Sequence, residues 1–176
     1  MKKLLTVIVI LAGLAILGLM PLPFETTNRV INSVFIARPS EDVFNYVTTP
    51  GNWPKWHPSS LAVHGATGHS LHQGERVTED YRVAGHEGTA EWMVVERNAP
   101  HTWRITATVG SRNAGWVRYE VAEENGGSRF TREFLYRPNT LLTVILDRLS
   151  IHAKIDAESS QAVRQLKEIL EGREQA

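Results

Sequence analysis

Ile31-Asn-Ser-Val-Phe-Ile-Ala-Arg-Pro-Ser-Glu-Asp-Val-Phe-Asn-Tyr-Val-Thr-Thr-Pro-Gly-Asn-Trp-Pro-Lys-Trp-His-Pro58 is the stretch that decides the fold. It reads as strand, short helix, then a tryptophan-bearing turn. Val30, Asn32, Val34 and Ile36 alternate with Ile31, Ser33, Phe35 and Ala37, a mostly apolar, β-branched run of strand length. Pro39 and Ser40 start a helix, with Glu41 and Asp42 in its first turn, where negative charge suits the helix dipole. Val43, Phe44 and Val47 give that helix one apolar face, and Pro50-Gly51 ends it. Trp53 and Trp56 then stand between Pro50, Pro54 and Pro58, where long regular structure is impossible. Two indoles held there are expected to clamp the segment onto a sheet, each burying a large apolar area.

Downstream the chain reads as successive hairpins. Strands are expected at residues 61–66, 75–84, 86–97, 101–109, 116–124 and 128–137, with a polar loop at 67–74 and another at 110–115. Glu124-Asn-Gly-Gly127 is a strong hairpin signal. With the first strand this makes seven, joined by short turns, so the sheet should be an antiparallel meander. No helical segment separates the later strands, which argues against a doubly wound parallel fold. Pro138-Asn-Thr140 then caps a helix expected over 141–171 and ended by Gly172. Leu142, Ile145, Leu149, Ile155, Ala162, Val163, Leu166, Ile169 and Leu170 keep helical spacing, so this helix, about 45 Å long, is expected to cover the sheet's dry face.

The segment Ile36–Pro58 and the ending Ala162-Val-Arg-Gln-Leu-Lys-Glu-Ile-Leu-Glu171 together resemble the START/Bet v 1-like (SRPBCC) superfamily, specifically its polyketide cyclase/dehydrase-type members, over roughly residues 29–172. The resemblance implies an α+β helix-grip fold: a seven-stranded curved antiparallel sheet wrapped around a long C-terminal helix, with two short helices after the first strand. It also implies a binding site between sheet and helix, usually for a hydrophobic or amphipathic small molecule such as a lipid, sterol or polyketide.

The N-terminus carries a separate signal. Lys2-Lys3 precede an uncharged apolar stretch from Leu4 to Met20, long enough to span a bilayer as helix. The exit Leu17-Gly-Leu-Met-Pro-Leu-Pro-Phe24 is a poor cleavage site, so an uncleaved signal anchor is the expectation and a cleaved, secreted form the alternative. The paired lysines would keep the N-terminus cytoplasmic and the domain periplasmic or extracellular. The expected divisions are an anchor at 1–24, a tether at 25–28, the domain at 29–172 and a tail at 173–176.

Lys and Arg total 19 and Asp and Glu total 19, so no concentrated basic face argues for nucleic acid. The chain has no cysteine, which removes disulfides, thiolate chemistry and cysteine-held metal. No glycine-rich nucleotide loop and no Gly-x-Ser-x-Gly element occurs, so no cofactor is expected. His57, His64, His69, His72 and His86 lack ligand-pair spacing, so no metal is expected either. Nothing in the sequence speaks to oligomeric state.

Strand alternation places Val77, Tyr81, Trp92, Trp103, Ile105, Tyr119, Phe130 and Phe134 inward, with Ile151 and Ile155 from the helix. They either line a cavity or fill a core. Glu79 shares a face with Val77 and Tyr81, Arg132 with Phe130 and Phe134, and His152 lies one residue from the helix's apolar face. A charge desolvated there needs a partner or a ligand. Glu79, Arg132 and His152 are therefore candidates to orient a ligand head or to move a proton beside a carbonyl; a register slip of one residue would instead put each in water. The polar gap Asp156–Ser160 either lines a cavity mouth or faces solvent. Three functions stay open: membrane-anchored binding of a hydrophobic or lipid-like molecule, a cyclase/dehydratase acting on a polyketide-like substrate, and a protein-binding, co-chaperone-like domain.

Overall fold

A computed structural model describes residues 2–24 and 26–172. Glu25 of the expected tether and the tail at 173–176 lie outside the described residues. The elements are α1 (Lys2–Leu19), β1 (Asn28–Ile36), α2 (Ser40–Val47), a 3-10 turn (Pro50–Asn52), α3 (Trp53–Trp56), β2 (Ser60–Gly65), β3 (Arg76–Val83), β4 (His86–Asn98), β5 (Thr102–Val109), β6 (Arg112–Glu124), β7 (Gly127–Tyr136), α4 (Leu141–Leu146), a π-helical turn (Asp147–Ile151) and α5 (His152–Gly172). The seven strands form one antiparallel sheet in the order β1-β7-β6-β5-β4-β3-β2. This is the helix-grip arrangement, in which consecutive hairpins run from β2 to β7 and β1 closes beside β7.

One strand is longer than its sequence suggests. Residues 110–115 read as a loop, but only Gly110 and Ser111 turn the chain, and β6 begins at Arg112. An irregularity in β5–β6 pairing at Ala107/Thr108 absorbs an extra residue beside Gly115. Gly115 has φ +144, and a Cβ there would meet the Leu135 carbonyl oxygen, so only glycine lets β6 and β7 approach.

The C-terminal helix differs in how it packs. α5 lies mainly along β1, burying Ile155, Ala162, Val163, Leu166 and Leu170. Leu142, Ile145 and Leu149, expected on the same inner face, are instead exposed. The π-helical turn inserts wider winding between α4 and α5, so the two apolar stripes do not share one face. Asp147 fixes that turn: it is buried, accepts from the Tyr136 hydroxyl at 2.6 Å, and accepts from the Asn28 amide.

Because α5 sits toward β1, something else must cover the middle strands. The tryptophan segment does so. Trp53 meets Trp103 edge-on at 6.2 Å and donates its indole N–H to the Val47 carbonyl at 2.9 Å. Trp56, fully buried, meets Tyr119 at 6.0 Å and Phe130 at 6.1 Å. Replacing Trp56 by alanine should cost about 3–5 kcal/mol. The check is a urea melt of the detergent-solubilised chain, whose midpoint should fall steeply at unchanged slope.

Candidate functional site

Between α5, the tryptophan segment and the concave face of the sheet lies a cavity of about 200 Å³. Its existence traces to residue size. Ala90, Ala107 and Ala114 take inward positions on β4, β5 and β6, where larger side chains would fill the space. From the sequence-derived set, Tyr81, Trp92, Ile105, Tyr119, Phe134 and Ile155 line it, together with Glu79 and Arg132. Val77, Trp103 and Phe130 point to the same face but are packed into the core outside the lining, Trp103 stacked on Tyr119 at 5.3 Å and Phe130 against Trp56. Ile151 packs beside Tyr136 and Ile155, outside the lining. His152 is exposed, its Nδ1 3.0 Å from the Tyr136 hydroxyl, and it is not among the residues that line the cavity.

The walls also include residues that sequence patterning did not single out as ligand-facing: Trp53, Trp56, His57, Ser59, Glu158 and Ser159 among them. The polar gap in the helix resolves here. Ser159 accepts from Arg132 Nη1 at 2.9 Å, and Glu158 accepts from the Ser59 hydroxyl at 2.8 Å and from the Ala84 amide at 3.0 Å. Those contacts tie α5 to the β3–β4 turn and close one side of the cavity.

Four polar groups gather on the wall. Glu79 accepts from the Trp92 indole at 2.7 Å, and burial pushes its carboxyl pKa up despite that bond and the nearby positive charge of Arg132. Arg132 is buried, its guanidinium donating to the Ser159 hydroxyl and lying 5.2 Å over the Phe134 ring. Burial pushes the Tyr119 phenol up to about 12, so it stays protonated. His57 accepts from the Ser59 amide at its Nδ1, 3.2 Å away, which puts its proton on Nε2. Burial, then Arg132, holds its pKa well below the ordinary range, so the ring is neutral. Neither His57 Nε2 nor Arg132 Nε has a protein hydrogen-bond partner. Two buried N–H donors thus stand unpaired on residues that line a largely apolar space. Of the other histidines considered for metal, His64 pairs with Asp80 and His69 with Glu75 at the surface.

The cavity is also polarised along its length. β3 and β7 run in the same direction, each with one strand's alternation facing inward. On β3 the polar Glu79 is followed four residues on by Val83, and on β7 Arg132 is followed by Tyr136, about 13 Å of strand in each case. On the opposing helix Ser159 is preceded one turn earlier by Ile155. Three elements therefore agree on a polar end and a largely apolar end, the latter continuing into the cluster of Val30, Ala84, Tyr136, Ile155 and Ile151.

A curved antiparallel sheet closed on one helix around a largely apolar cavity with a few convergent polar groups is an architecture that suits small-molecule sites. The chain belongs to the family described as polyketide cyclase / dehydrase and lipid transport, whose model matches residues 27–171. Among solved structures it is similar in fold to a Staphylococcus aureus protein, SA2116 (TM-score 0.68, 11% identity, 86% of this chain and 98% of that one). Protein Ms6760 from Mycobacterium smegmatis matches with TM-score 0.60 and 18% identity, over 87% of this chain and 99% of that one. The di-domain ARO/CYC StfQ of the steffimycin biosynthetic pathway matches with TM-score 0.62 and 12% identity, over 85% of this chain and 53% of that one. Comparison with curated proteins gives no match.

The two titrating groups predict opposite pH responses. His57 is held below its ordinary 6.5, so under about pH 6.5 the unfolded chain binds a proton that the folded chain refuses, and stability falls as pH drops. Glu79 is raised above its ordinary 4.5, so the folded chain holds a proton longer than the unfolded one, and stability falls as pH rises through that raised value. In urea midpoints measured against pH, His57→Phe should flatten the acid-side loss, while Glu79→Gln should remove the opposing slope above about pH 4.5.

Proposed function

We propose that this protein is a membrane-anchored binder of a compact, mostly apolar molecule that carries a hydrogen-bond-accepting head. The observation behind the reading is the pair of unpartnered N–H donors, Arg132 Nε and His57 Nε2, on two residues that line a largely apolar cavity. An accepting oxygen placed there relieves the desolvation of both donors, which is worth more than the same contact in water. The apolar body would extend toward Val83, Ile155 and Tyr136. Size supports a ring-sized or short-chain ligand: about 200 Å³ exceeds by a little the cavity of about 150 Å³ that takes up benzene, and falls short of ordinary drug-sized pockets. Anchoring rests on α1, whose 18 residues have a mean hydropathy of 2.2, none of them buried, and span about 27 Å.

A second reading, an aldol-type cyclase, is favoured by one observation: Glu79 is a buried carboxyl of raised pKa beside two donors, Arg132 and Tyr119. Its carboxylate would take a proton from carbon next to a ketone while those donors hold the enolate oxygen. The enolate carbon would then attack a second carbonyl, and the resulting alkoxide would recover the proton from Glu79.

Acetophenone and 2-naphthoate, a ring-sized ketone and a ring-sized carboxylate, are suitable probes, titrated by NMR against the full chain in nanodiscs. Arg132→Gln should weaken binding about tenfold or more, the scale of one charge-assisted hydrogen bond. Ala107→Phe should abolish binding by filling the cavity while leaving the chain folded. A diacyl lipid retained in native mass spectra, with neither probe bound, overturns the compact-ligand reading. Solvent deuterium entering the acetophenone methyl group, and lost in Glu79→Gln at unchanged affinity, would make the site an enzyme's.

A further inference from the structure

The apolar run Leu141-Leu-Thr-Val-Ile-Leu146 has no place in the domain core. Leu141, Leu142, Ile145 and Leu146 are all exposed on α4, and Leu149 in the π-helical turn is 75% exposed. No charged residue occurs between Pro138 and Leu146. A contiguous apolar surface of this kind on a folded domain marks an interaction site.

Its position identifies the occupant. α1 ends against α4: a Cβ added at Gly18 would lie 3.7 Å from Leu142 Cβ. The connection is fixed by backbone, since the Leu22 amide donates to the Asn139 carbonyl at 2.9 Å and Pro21 bridges Thr140. Thr26 adds a bond from its hydroxyl to the Pro138 carbonyl at 2.6 Å. The exposed face of α4 is therefore continuous with the lower end of the apolar helix α1, leaving almost no slack between the two. Arg148 and Lys154, both exposed, follow just beyond the apolar stretch, the arrangement of a segment lying at a lipid headgroup boundary.

We infer that Leu141–Leu149 rests in the interfacial layer of the bilayer that α1 enters, so that the apolar end of the cavity faces the membrane. This rests on the reading of α1 as a membrane span. The consequence for the cavity is direct. Tyr136 lines it and is held by Asp147 at the start of the π-helical turn, and Ile151 at the end of that turn packs against the same apolar cluster. The membrane-seated segment thus backs the end wall that Tyr136 and Ile155 form, and an apolar molecule leaving the bilayer meets that side of the domain rather than water.

The cysteine-free chain allows a clean test. Single cysteines at Val9, Ile145, Leu149 and Leu61 are spin-labelled in the full chain, reconstituted in vesicles of equal parts phosphatidylcholine and phosphatidylglycerol. Power saturation then compares oxygen with a water-soluble nickel chelate. The expected result is that labels at Val9, Ile145 and Leu149 favour oxygen by about tenfold over the Leu61 label, which sits on β2 across the sheet and favours nickel. If Val9 favours oxygen but Ile145 and Leu149 favour nickel, the anchor stands and the interfacial segment is overturned. If Val9 itself favours nickel, the anchor reading fails and takes this inference with it. Dipolar broadening between labels at Ile145 or Leu149 identifies a second copy of the chain as the occupant and also overturns it.

Discussion

One helix cannot fill the hollow of a seven-stranded curved sheet, and every other feature of this domain answers that constraint. α5 commits its apolar face to β1 and leaves the middle strands uncovered. The aromatic wedge of Trp53 and Trp56 fills part of the remaining space by packing on Trp103, Tyr119 and Phe130. Over Ala90, Ala107 and Ala114 nothing substitutes for the missing bulk, and the cavity is what is left. Protein interiors close to crystal-like density where side chains allow it, so a void bounded by three alanines and a ring of large aromatics is a property of this sequence and not of loose packing.

The polar residues in that void carry a cost that the fold alone does not explain. Glu79 and Arg132 are both buried, yet they form no direct ion pair among the described residues; each is held by a neutral neighbour instead, Trp92 and Ser159. Buried charges of this kind are often replaceable by apolar groups without loss of stability. Their burial beside a cavity, with His57 kept neutral next to them, fits a site prepared to receive a polar group and poorly fits a purely structural role.

Strand alternation made the sheet legible and put Glu79 and Arg132 on the inner face, because a period of two is insensitive to what lies beyond the strand. It could not give depth. Val77 and Tyr81 share one face, yet only Tyr81 reaches the cavity, because α2 and the tryptophan segment cover one end of the sheet and leave the other open. The loop expected at 110–115 failed for a local reason: Gly115 reads as a breaker, whereas here its positive φ lets a strand continue through an irregular pairing. Helical spacing likewise carried Leu142, Ile145 and Leu149 onto the face of Ile155, since nothing in a periodic pattern announces a π-helical turn. In the sequence His57 invites only a metal-ligand reading; its place on the cavity follows from the Trp-His-Pro-Ser turn, which brings the Ser59 amide onto Nδ1, a geometry with no signature in composition.

The agreement among three separate elements is the strongest indication of how a ligand would lie. β3, β7 and α5 are far apart in sequence, and each places a polar side chain and an apolar one a fixed step apart, in the same sense along the cavity. On the proposed function, an amphipathic molecule would lie with its head at Arg132 and His57 and its body toward Val83, Ile155 and Tyr136. That direction ends at the π-helical turn, beside the only part of the described domain that is apolar, exposed and joined to α1. With α1 as a membrane span, a molecule entering from the bilayer would reach that apolar end first, and its head would cross the apolar stretch before meeting Arg132 and His57.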